Sequence, residues 1–210
     1  MMARHHLVIF ARAPRLGTVK RRLARDLGAL AAWRFQRLTT ERLVRCLAPD
    51  PRWRCVLAVT PEPARWPPGI PRLAQGPGDL GARMARAMAA QPPGPVVLIG
   101  SDIPDIGAAH IARAFRALAG HDAVFGPAED GGYWLVGVRD RALLRGLFHG
   151  VRWSTEHALA DTLVNLSGRR VALVDRLADI DDVVAFRRWK RGSDPFSLVT
   201  RRPDAPSGGA

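Results

Sequence analysis

Short apolar runs alternate with longer amphipathic segments along most of this chain. The runs have the length of strands, and the longer segments carry leucine and alanine at helical spacing. The apolar runs lie at 6–12, 55–60, 72–75, 96–102, 122–127, 133–138 and 170–175. The helical patterns lie at 19–47, with a break at Gly28, and at 79–90, 108–118, 140–147, 155–166 and 181–191. This alternation predicts an α/β protein, a three-layer α/β/α sandwich whose mainly parallel, twisted sheet is covered on both faces.

The chain length of 210 residues fits one domain of this class. We predict a single domain over 1–191 and a polar tail over 192–210 that is rich in proline and glycine and disordered at its end. No apolar run reaches the length of a membrane span or a signal peptide, so the sequence predicts a cytoplasmic protein without a membrane partner. Cys46 and Cys55 fit no disulfide or metal spacing and are predicted to be buried free thiols.

Positive charge is concentrated at the N-terminal end. The formal net charge is +13, and residues 1–60 hold 13 Lys and Arg against three acids. A charge of this size permits nucleic-acid binding, but no aromatic RNA motif, zinc spacing or helix-turn-helix signature accompanies it. A local basic segment also suits a small molecule that carries phosphate. The sequence therefore favours a phosphorylated ligand over a nucleic-acid partner.

A basic loop follows the first predicted strand. Residues 11–24 read ARAPRLGTVKRRLA, in which Arg12, Arg15 and Lys20 lie where the loop opens the next helix. Free amides at a helix N-terminus attract phosphate, and arginine adds bidentate contacts. The loop lacks the P-loop pattern, and a solvated basic face is the alternative interpretation. We predict phosphate contacts from these three side chains.

Glycines precede the helix predicted at 79–90. Gly76, Gly78 and Gly81 spell G-x-G-x-x-G, and Asp102 follows at roughly the distance of a dinucleotide site. The motif, however, belongs to the third βα unit rather than the first, and a dinucleotide would leave the basic loop without a role. We interpret the segment as a loop that lets the backbone approach a base or ribose, with Asp79 as the N-cap of the helix.

Aspartates follow two of the predicted strands. Asp102 ends the most apolar strand, and one carboxylate at that place suits a divalent cation that bridges phosphates. Asp179, Asp181 and Asp182 follow the last strand, and one of them is expected to face Asp102 across the metal. Helix capping is the alternative role for Asp102, Asp181 and Asp182.

Two acids, two glycines and two aromatic residues interrupt the segment FGPAEDGGYWLVGV at 125–138. Glu129 or Asp130 can act as a base toward a hydroxyl group, and Gly131 and Gly132 let the backbone pass close to a ligand. One of the two aromatic rings is expected to face the site, because neighbours alternate across a strand. The predicted substrate-binding residues are Gly131, Gly132, Tyr133, Trp153, Ser154 and Thr155. A tight hairpin with an acidic tip, and a capping role for Thr155, are the alternatives.

Six motifs occur in one order: FARAPRLGTVKRRL, QGPGDLGARM, GSDIP, GPAEDGGYWLVG, FHGVRWST and DIDD. Together they resemble the DUF2064 family of small GT-A-fold, nucleotide-diphospho-sugar transferase-like proteins, some of which are described as arsenosugar-biosynthesis glycosyltransferases. Three positions depart from the family pattern. Arg12 and Arg21 stand where the family has Lys and Thr, and the ending D-x-D-T reads DIDD.

The resemblance implies a nucleotide or nucleotide-sugar donor, a small-molecule acceptor, and Mg²⁺ or Mn²⁺ as cofactor. The implied nucleotide-binding residues are Arg12, Pro14, Gly17, Lys20, Gly78, Asp79 and Gly81. The metal ligands would be Asp102, Asp179 and Asp181, and the catalytic residues Asp102, Asp130 and Glu129. We therefore predict a metal-dependent glycosyltransferase. The alternatives are a nucleotidyltransferase that releases pyrophosphate and a basic nucleic-acid-binding or scaffold protein, and the oligomeric state stays open.

Overall fold

The computed structural model describes residues 5–17 and 20–192. This part of the chain contains seven strands and six α-helices. The strands are β1 His5–Arg12, β2 Trp53–Thr60, β3 Arg72–Ala74, β4 Val96–Gly100, β5 Ala123–Pro127, β6 Tyr133–Val138 and β7 Val171–Leu173. The helices are α1 Arg21–Leu27, α2 Ala29–Leu47, α3 Leu80–Ala89, α4 Ala108–Gly120, α5 Ala158–Val164 and α6 Val183–Gly192, with a 3-10 helix at Arg141–Arg145. The tail predicted beyond α6 lies outside the described residues.

The strands form one sheet in the order β3-β2-β1-β4-β6-β5-β7. All neighbours are parallel except that β6 runs antiparallel to both β4 and β5. Because β6 is reversed, its first residues lie at the edge where the parallel strands end. The predicted α/β class with a mainly parallel sheet is confirmed, and β6 brings an additional segment to the edge where α/β proteins bind ligands.

Side chains of the central strands alternate between two apolar layers. Leu7 and Ile9 of β1 pack toward Leu43 of α2 and Phe115 of α4. The intervening Val8 contributes to the opposite layer, which includes Met84 and Met88 of α3 and the residues after β6. A strand covered on both faces reads as a continuous apolar run, as β1 and β4 do. The helices therefore lie on both sides of the sheet, as the sequence predicts.

Helix boundaries follow the local signals. Gly28, at φ 84°, separates α1 from α2 as expected. Asp79 caps α3, because its Oδ1 accepts a hydrogen bond of 2.7 Å from the amide of Ala82. Asp182 takes the capping role at α6, where its Oδ1 accepts a 2.8 Å bond from the amide of Ala185. The capping alternative is thus realised at Asp182, and Asp181 is left to interact elsewhere.

One of the two free thiols differs from the prediction. Cys46 lies on the solvent side of α2 and is exposed, so the expectation that it is buried was wrong. Cys55 lies in β2, where burial raises the pKa of its thiol to about 12. None of the described helices combines the length and apolar character needed to cross a membrane.

Candidate active site

Two adjoining cavities open at the edge where β1, β3 and β4 end and β6 begins. The first cavity has a volume of about 330 Å³ and the second about 350 Å³. Both are lined by Leu80, Met84, Gly100, Asp102, Tyr133 and Trp134. Asp102 thus faces both spaces, so a molecule in one cavity lies next to a molecule in the other.

Arginines line the first cavity on the side of β1 and α3. Arg12 ends β1, and Arg83 reaches across from α3 to stack over the ring of Phe10, with its guanidinium carbon 5.6 Å from the ring centroid. Arg86 lies behind them, donating to the carbonyl oxygens of Gln75 and Pro77. Burial, together with the positive charges of Arg12 and Arg86, lowers the pKa of Arg83.

Gln75 holds this arginine cluster in place. Its side chain is buried, and its Nε2 donates 2.9 Å bonds to the carbonyl oxygens of Ala11 and Ala58. Its Oε1 accepts from the guanidinium of Arg83. Within the described residues, Arg12, Arg83 and Arg86 make no ion pair with a carboxylate. An anion is the ligand that would balance this positive charge.

Asp102 is oriented by a buried amide. Gln36, 4% exposed on α2, donates a 2.6 Å bond from Nε2 to Oδ1 of Asp102 and a longer one to the carbonyl oxygen of Ser101. The aspartate lies two residues after the end of β4. The amide fixes one carboxylate oxygen, and the other has no hydrogen bond with a described residue.

Lys20 lies between two of the predicted metal ligands. Its Nζ donates 2.8 Å hydrogen bonds to Oδ1 of Asp179 and to Oδ1 of Asp181, and its side chain is only 5% exposed. Burial by itself lowers the pKa of Lys20, but the carboxylates of Asp102, Asp179 and Asp181 raise it overall. Burial and the neighbouring carboxylates of Asp102 and Asp181 raise the pKa of Asp179 to about 6, against the opposing effect of Lys20.

This ion-pair cluster concerns two predictions: that Lys20 contacts phosphate, and that Asp179 and Asp181 hold a metal. Three carboxylates surround one ammonium, so the cluster retains negative charge that suits a further cation. The ammonium, however, occupies the space between Asp179 and Asp181, and no group of three metal-ligating side chains converges anywhere in residues 5–17 and 20–192. In this arrangement Lys20 cannot contact phosphate while Asp179 and Asp181 hold a metal. Asp102 is left as the carboxylate able to share a metal with ligand oxygens.

Replacement of Lys20 by Met is expected to destabilise the fold by about 2–3 kcal/mol. This is below the loss of about 3–5 kcal/mol for breaking a fully buried pair, because Asp181 is half exposed. Chemical denaturation of the variant measures the loss. Lys190→Met is the matched control, since Lys190 is the other lysine of the sequence and is exposed on α6. Equal stability of the two variants would contradict a structural role for the ion pairs.

The acidic segment between β5 and β6 is a turn held by its own side chain. Oδ1 of Asp130 accepts a 2.9 Å bond from the amide of Gly132, and Asp130 and Gly132 both line the second cavity. Glu129 is exposed and does not line either cavity. The alternative of a tight connection with an acidic tip is therefore realised, with Asp130 at the cavity and Glu129 turned to solvent.

Two of the predicted site glycines lie in close contact with neighbouring chain. Gly131 has φ +84°, and a Cβ there would lie 2.2 Å from the carbonyl oxygen of Glu156. Gly81 is buried in α3, where a Cβ would lie 2.7 Å from Cβ of Phe148 and 2.8 Å from Cζ2 of Trp153. Neighbouring chain fills the space beside both glycines, which gives each of them a packing role, and the prediction that their backbone also approaches a ligand stays a prediction.

The aromatic rings and the loop after the 3-10 helix complete the second cavity. Tyr133 and Trp134 both line it, but their rings pack in opposite layers: Tyr133 packs with the α3-side layer, and Trp134, 4% exposed, packs in the core on the α4 side. The expected alternation, with one ring packed away, is thus seen. The Trp134 indole also donates a 2.9 Å bond to the carbonyl oxygen of Asp175. Trp153, Ser154 and Thr155 border the same space, as predicted. The Thr155 hydroxyl closes a local turn with Arg152 and His157 and does not cap α5 directly.

Several predicted nucleotide-binding residues lie outside both cavities. Pro14 lines a separate cavity and accepts a 2.9 Å bond from the Trp33 indole. Gly17, Gly78 and Asp79 are exposed around the first loop and the start of α3, and Asp79 is occupied as a helix cap. Sequence reasoning did not select Gln36, Gln75 or Arg83. One signal was available: Gln75 and Arg83 belong to the motif QGPGDLGARM, which was interpreted from its glycines alone.

The sequence profile described as an uncharacterized protein conserved in bacteria, DUF2064, matches residues 32–155, which is more than half of the chain. The chain belongs to the DUF2064 family. The predicted family is thereby confirmed. No curated protein matches this DUF2064 member.

Solved structures share the fold of this DUF2064 protein. A Desulfovibrio desulfuricans G20 protein, provisionally described as a nucleotide-diphospho-sugar transferase, is 27% identical, with a TM-score of 0.81 over 95% of this chain and 91% of its own. A nucleotidyl transferase from Methanothermobacter is 16% identical, with a TM-score of 0.60 over 90% and 97% of the two chains. A manganese complex of a Mycobacterium tuberculosis protein is 15% identical, with a TM-score of 0.56 over 91% and 100%. The predicted GT-A-like fold is confirmed.

Proposed function

We propose that this protein is a nucleotide-dependent glycosyltransferase that moves a sugar from a nucleotide-diphospho-sugar to a small acceptor. The observation that carries the proposal is the pair of adjoining cavities that share Asp102, with arginines along the first one only. A donor with a diphosphate needs cationic groups at one end and an acceptor space at the other. The 27% identical Desulfovibrio protein, with its provisional description as a nucleotide-diphospho-sugar transferase, supports this assignment.

In this proposal the first cavity takes the nucleotide. Arg12 and Arg83 contact its anionic groups, and Gln75 keeps Arg83 directed into the cavity. Lys20 is retained as an ion-pair partner of Asp179 and Asp181 rather than as a phosphate contact.

The oxygen ligands of the site suit Mg²⁺ or Mn²⁺. Asp102 would hold the ion together with phosphate oxygens of the donor, because its second oxygen has no hydrogen bond with a described residue. When bound, the ion supplies positive charge that stabilises the departing nucleoside diphosphate. Asp102 itself is kept in place by Gln36, so its carboxylate is oriented before a ligand arrives.

In the second cavity, Asp130 is the proposed acceptor-side carboxylate. Its Oδ1 is used by the amide of Gly132, and Oδ2 has no hydrogen bond with a described residue. That oxygen is available to accept the proton of an acceptor hydroxyl. Glu129, exposed outside both cavities, takes no part in this proposal.

Thermal shift with nucleotides and nucleotide-sugars, with and without Mg²⁺ or Mn²⁺, tests the proposal. We expect at least one nucleotide-diphospho-sugar to raise the melting temperature and to release nucleoside diphosphate slowly in the presence of the metal. Arg83→Met should weaken that binding by about 1–3 kcal/mol, as expected for a charge-assisted contact. Arg45→Met, a change at an exposed arginine of α2, is the matched control.

Two outcomes would overturn the assignment. Pyrophosphate release from a nucleoside triphosphate, without diphosphate release from any nucleotide-sugar, identifies nucleotidyl transfer instead. Binding that ignores every nucleotide and falls steeply with salt identifies a nucleic-acid-binding protein.

A further inference from the structure

The two cavities carry opposite charge. Arg12 and Arg83 line the first cavity. The second cavity is lined by the carboxylates of Asp102, Asp130 and Asp179, and no Lys, Arg or His is among the described residues that line it. The acceptor side of the site is therefore negatively charged before any ligand binds.

The ammonium of Lys20 does not reverse this sign. It makes hydrogen bonds to Asp179 and Asp181, so its single charge is more than offset by these two carboxylates, and its side chain is 5% exposed. A divalent metal held at Asp102 would be shared with the donor diphosphate, whose own negative charge it offsets. Asp130 then still faces the cavity without a basic partner. A phosphate or carboxylate on the acceptor would meet repulsion there.

The remaining walls of the second cavity are apolar. They are formed by Leu80, Met84, Ile103, Tyr133, Trp134 and Trp153. The rings of Tyr133 and Trp153, which both line this cavity, meet edge to face at 71° with centroids 6.4 Å apart. Such walls suit the carbon faces of a polyol, and aromatic faces also attract cations.

We propose that the second cavity takes an acceptor without phosphate or carboxylate, namely a neutral or cationic small molecule that bears a hydroxyl group. This rests on the proposed glycosyl transfer and narrows it. The acceptor oxygen bonds to the anomeric carbon as the bond from that carbon to the diphosphate breaks. The hydroxyl proton passes to Asp130, and the nucleoside diphosphate leaves with the bonding electron pair. A phosphorylated acceptor, the requirement of the nucleotidyl-transfer alternative, is disfavoured by the negative charge of this cavity.

Quenching of tryptophan fluorescence by charged and neutral quenchers reports the charge of the second cavity and needs no substrate. Trp153 is partly exposed in the second cavity, and Trp33 is partly exposed in the separate cavity beside Pro14, where Arg37 stacks at 5.1 Å from its ring. The difference in fluorescence between the wild type and Trp153→Phe gives the signal of Trp153. The difference between the wild type and Trp33→Phe gives the signal of Trp33, the matched control. Iodide, cesium and acrylamide serve as anionic, cationic and neutral quenchers.

Relative to acrylamide, we expect iodide to quench Trp153 about threefold less than Trp33, the change that about one kT of potential gives. Cesium should show the opposite order, and Asp130→Asn should raise iodide quenching at Trp153. Iodide quenching at Trp153 that equals or exceeds that at Trp33 overturns the proposal.

A second arm uses the donor identified by thermal shift. The acceptor panel is glycerol, glucose and choline, each beside its phosphate ester, and the readout is nucleoside diphosphate release above the donor alone. Stimulation by the parent compounds supports the proposal, and stimulation by the esters overturns it. If no nucleotide binds while Trp153 still excludes iodide, the proposed glycosyl transfer fails and the charge assignment of the cavity stands, so the two failures are distinguishable.

Discussion

Asp102→Asn is expected to lower transfer by at least about 10²-fold, the size of effect found when a group that stabilises transition-state charge is removed. The residue faces both cavities and is the proposed metal-holding carboxylate. Asparagine keeps an oxygen for the hydrogen bond from Gln36, so the melting temperature should stay close to that of the wild type. The measurement is nucleoside diphosphate release from the donor at saturating Mn²⁺.

Glu62→Gln provides the control for loss of one carboxylate, because Glu62 is exposed on the loop after β2, outside both cavities. It should retain full activity. Undiminished turnover in Asp102→Asn, or in the wild type with excess chelator, contradicts the proposed metal at Asp102.

Gly131→Ala is expected to destabilise the protein by several kcal/mol. A non-glycine residue at φ +84° costs about 1–3 kcal/mol by itself. The added Cβ would also lie 2.2 Å from the carbonyl oxygen of Glu156, and backbone cannot rotate away as a side chain can. The amide of Leu159 donates a 3.1 Å bond to the carbonyl oxygen of Gly131, so a shift there also disturbs the start of α5.

Two other glycines separate the causes of that loss. Gly150 has φ +64° with nothing within 4 Å of an added Cβ, so Gly150→Ala measures the backbone cost alone. Gly146 has φ −131° and open space, so Gly146→Ala should be nearly neutral. In urea denaturation, the loss of stability should be largest for Gly131→Ala, smaller for Gly150→Ala and smallest for Gly146→Ala. Equal losses at 131 and 150 would show that the contact with Glu156 carries no energy.

The sequence predicted those parts of the site that follow strand ends. Arg12 and Asp102 are the last residues of two predicted apolar runs, and parallel strands bring such positions to one edge by rule. Gln75 and Arg83 were not predicted as site residues, because their role depends on how α3 packs over β1. Their hydrogen bond and the stacking of Arg83 on Phe10 exist only in the assembled layers.

The contacts around Gly131, Gly81 and Lys20 could not be predicted from the sequence either. The close packing of Gly131 against Glu156 and of Gly81 against Trp153 becomes visible only when these neighbours, distant in sequence, are placed beside them. Lys20 reads as a phosphate contact because it opens a helix. Its two carboxylate partners are 159 and 161 residues away in the chain, a pairing that no local pattern can indicate.

That long separation has a consequence for how the protein is made. Asp179 and Asp181 are synthesised 159 and 161 residues after Lys20. Until then the ammonium lacks these two hydrogen-bond partners, and the loop that carries it lacks its tether to the segment before α6. Contacts between residues this far apart form late and slow the search for the native state. On the ribosome, the first loop can therefore take its final place only after Asp179 and Asp181 have been synthesised, whereas β1 and β2 can pair much earlier.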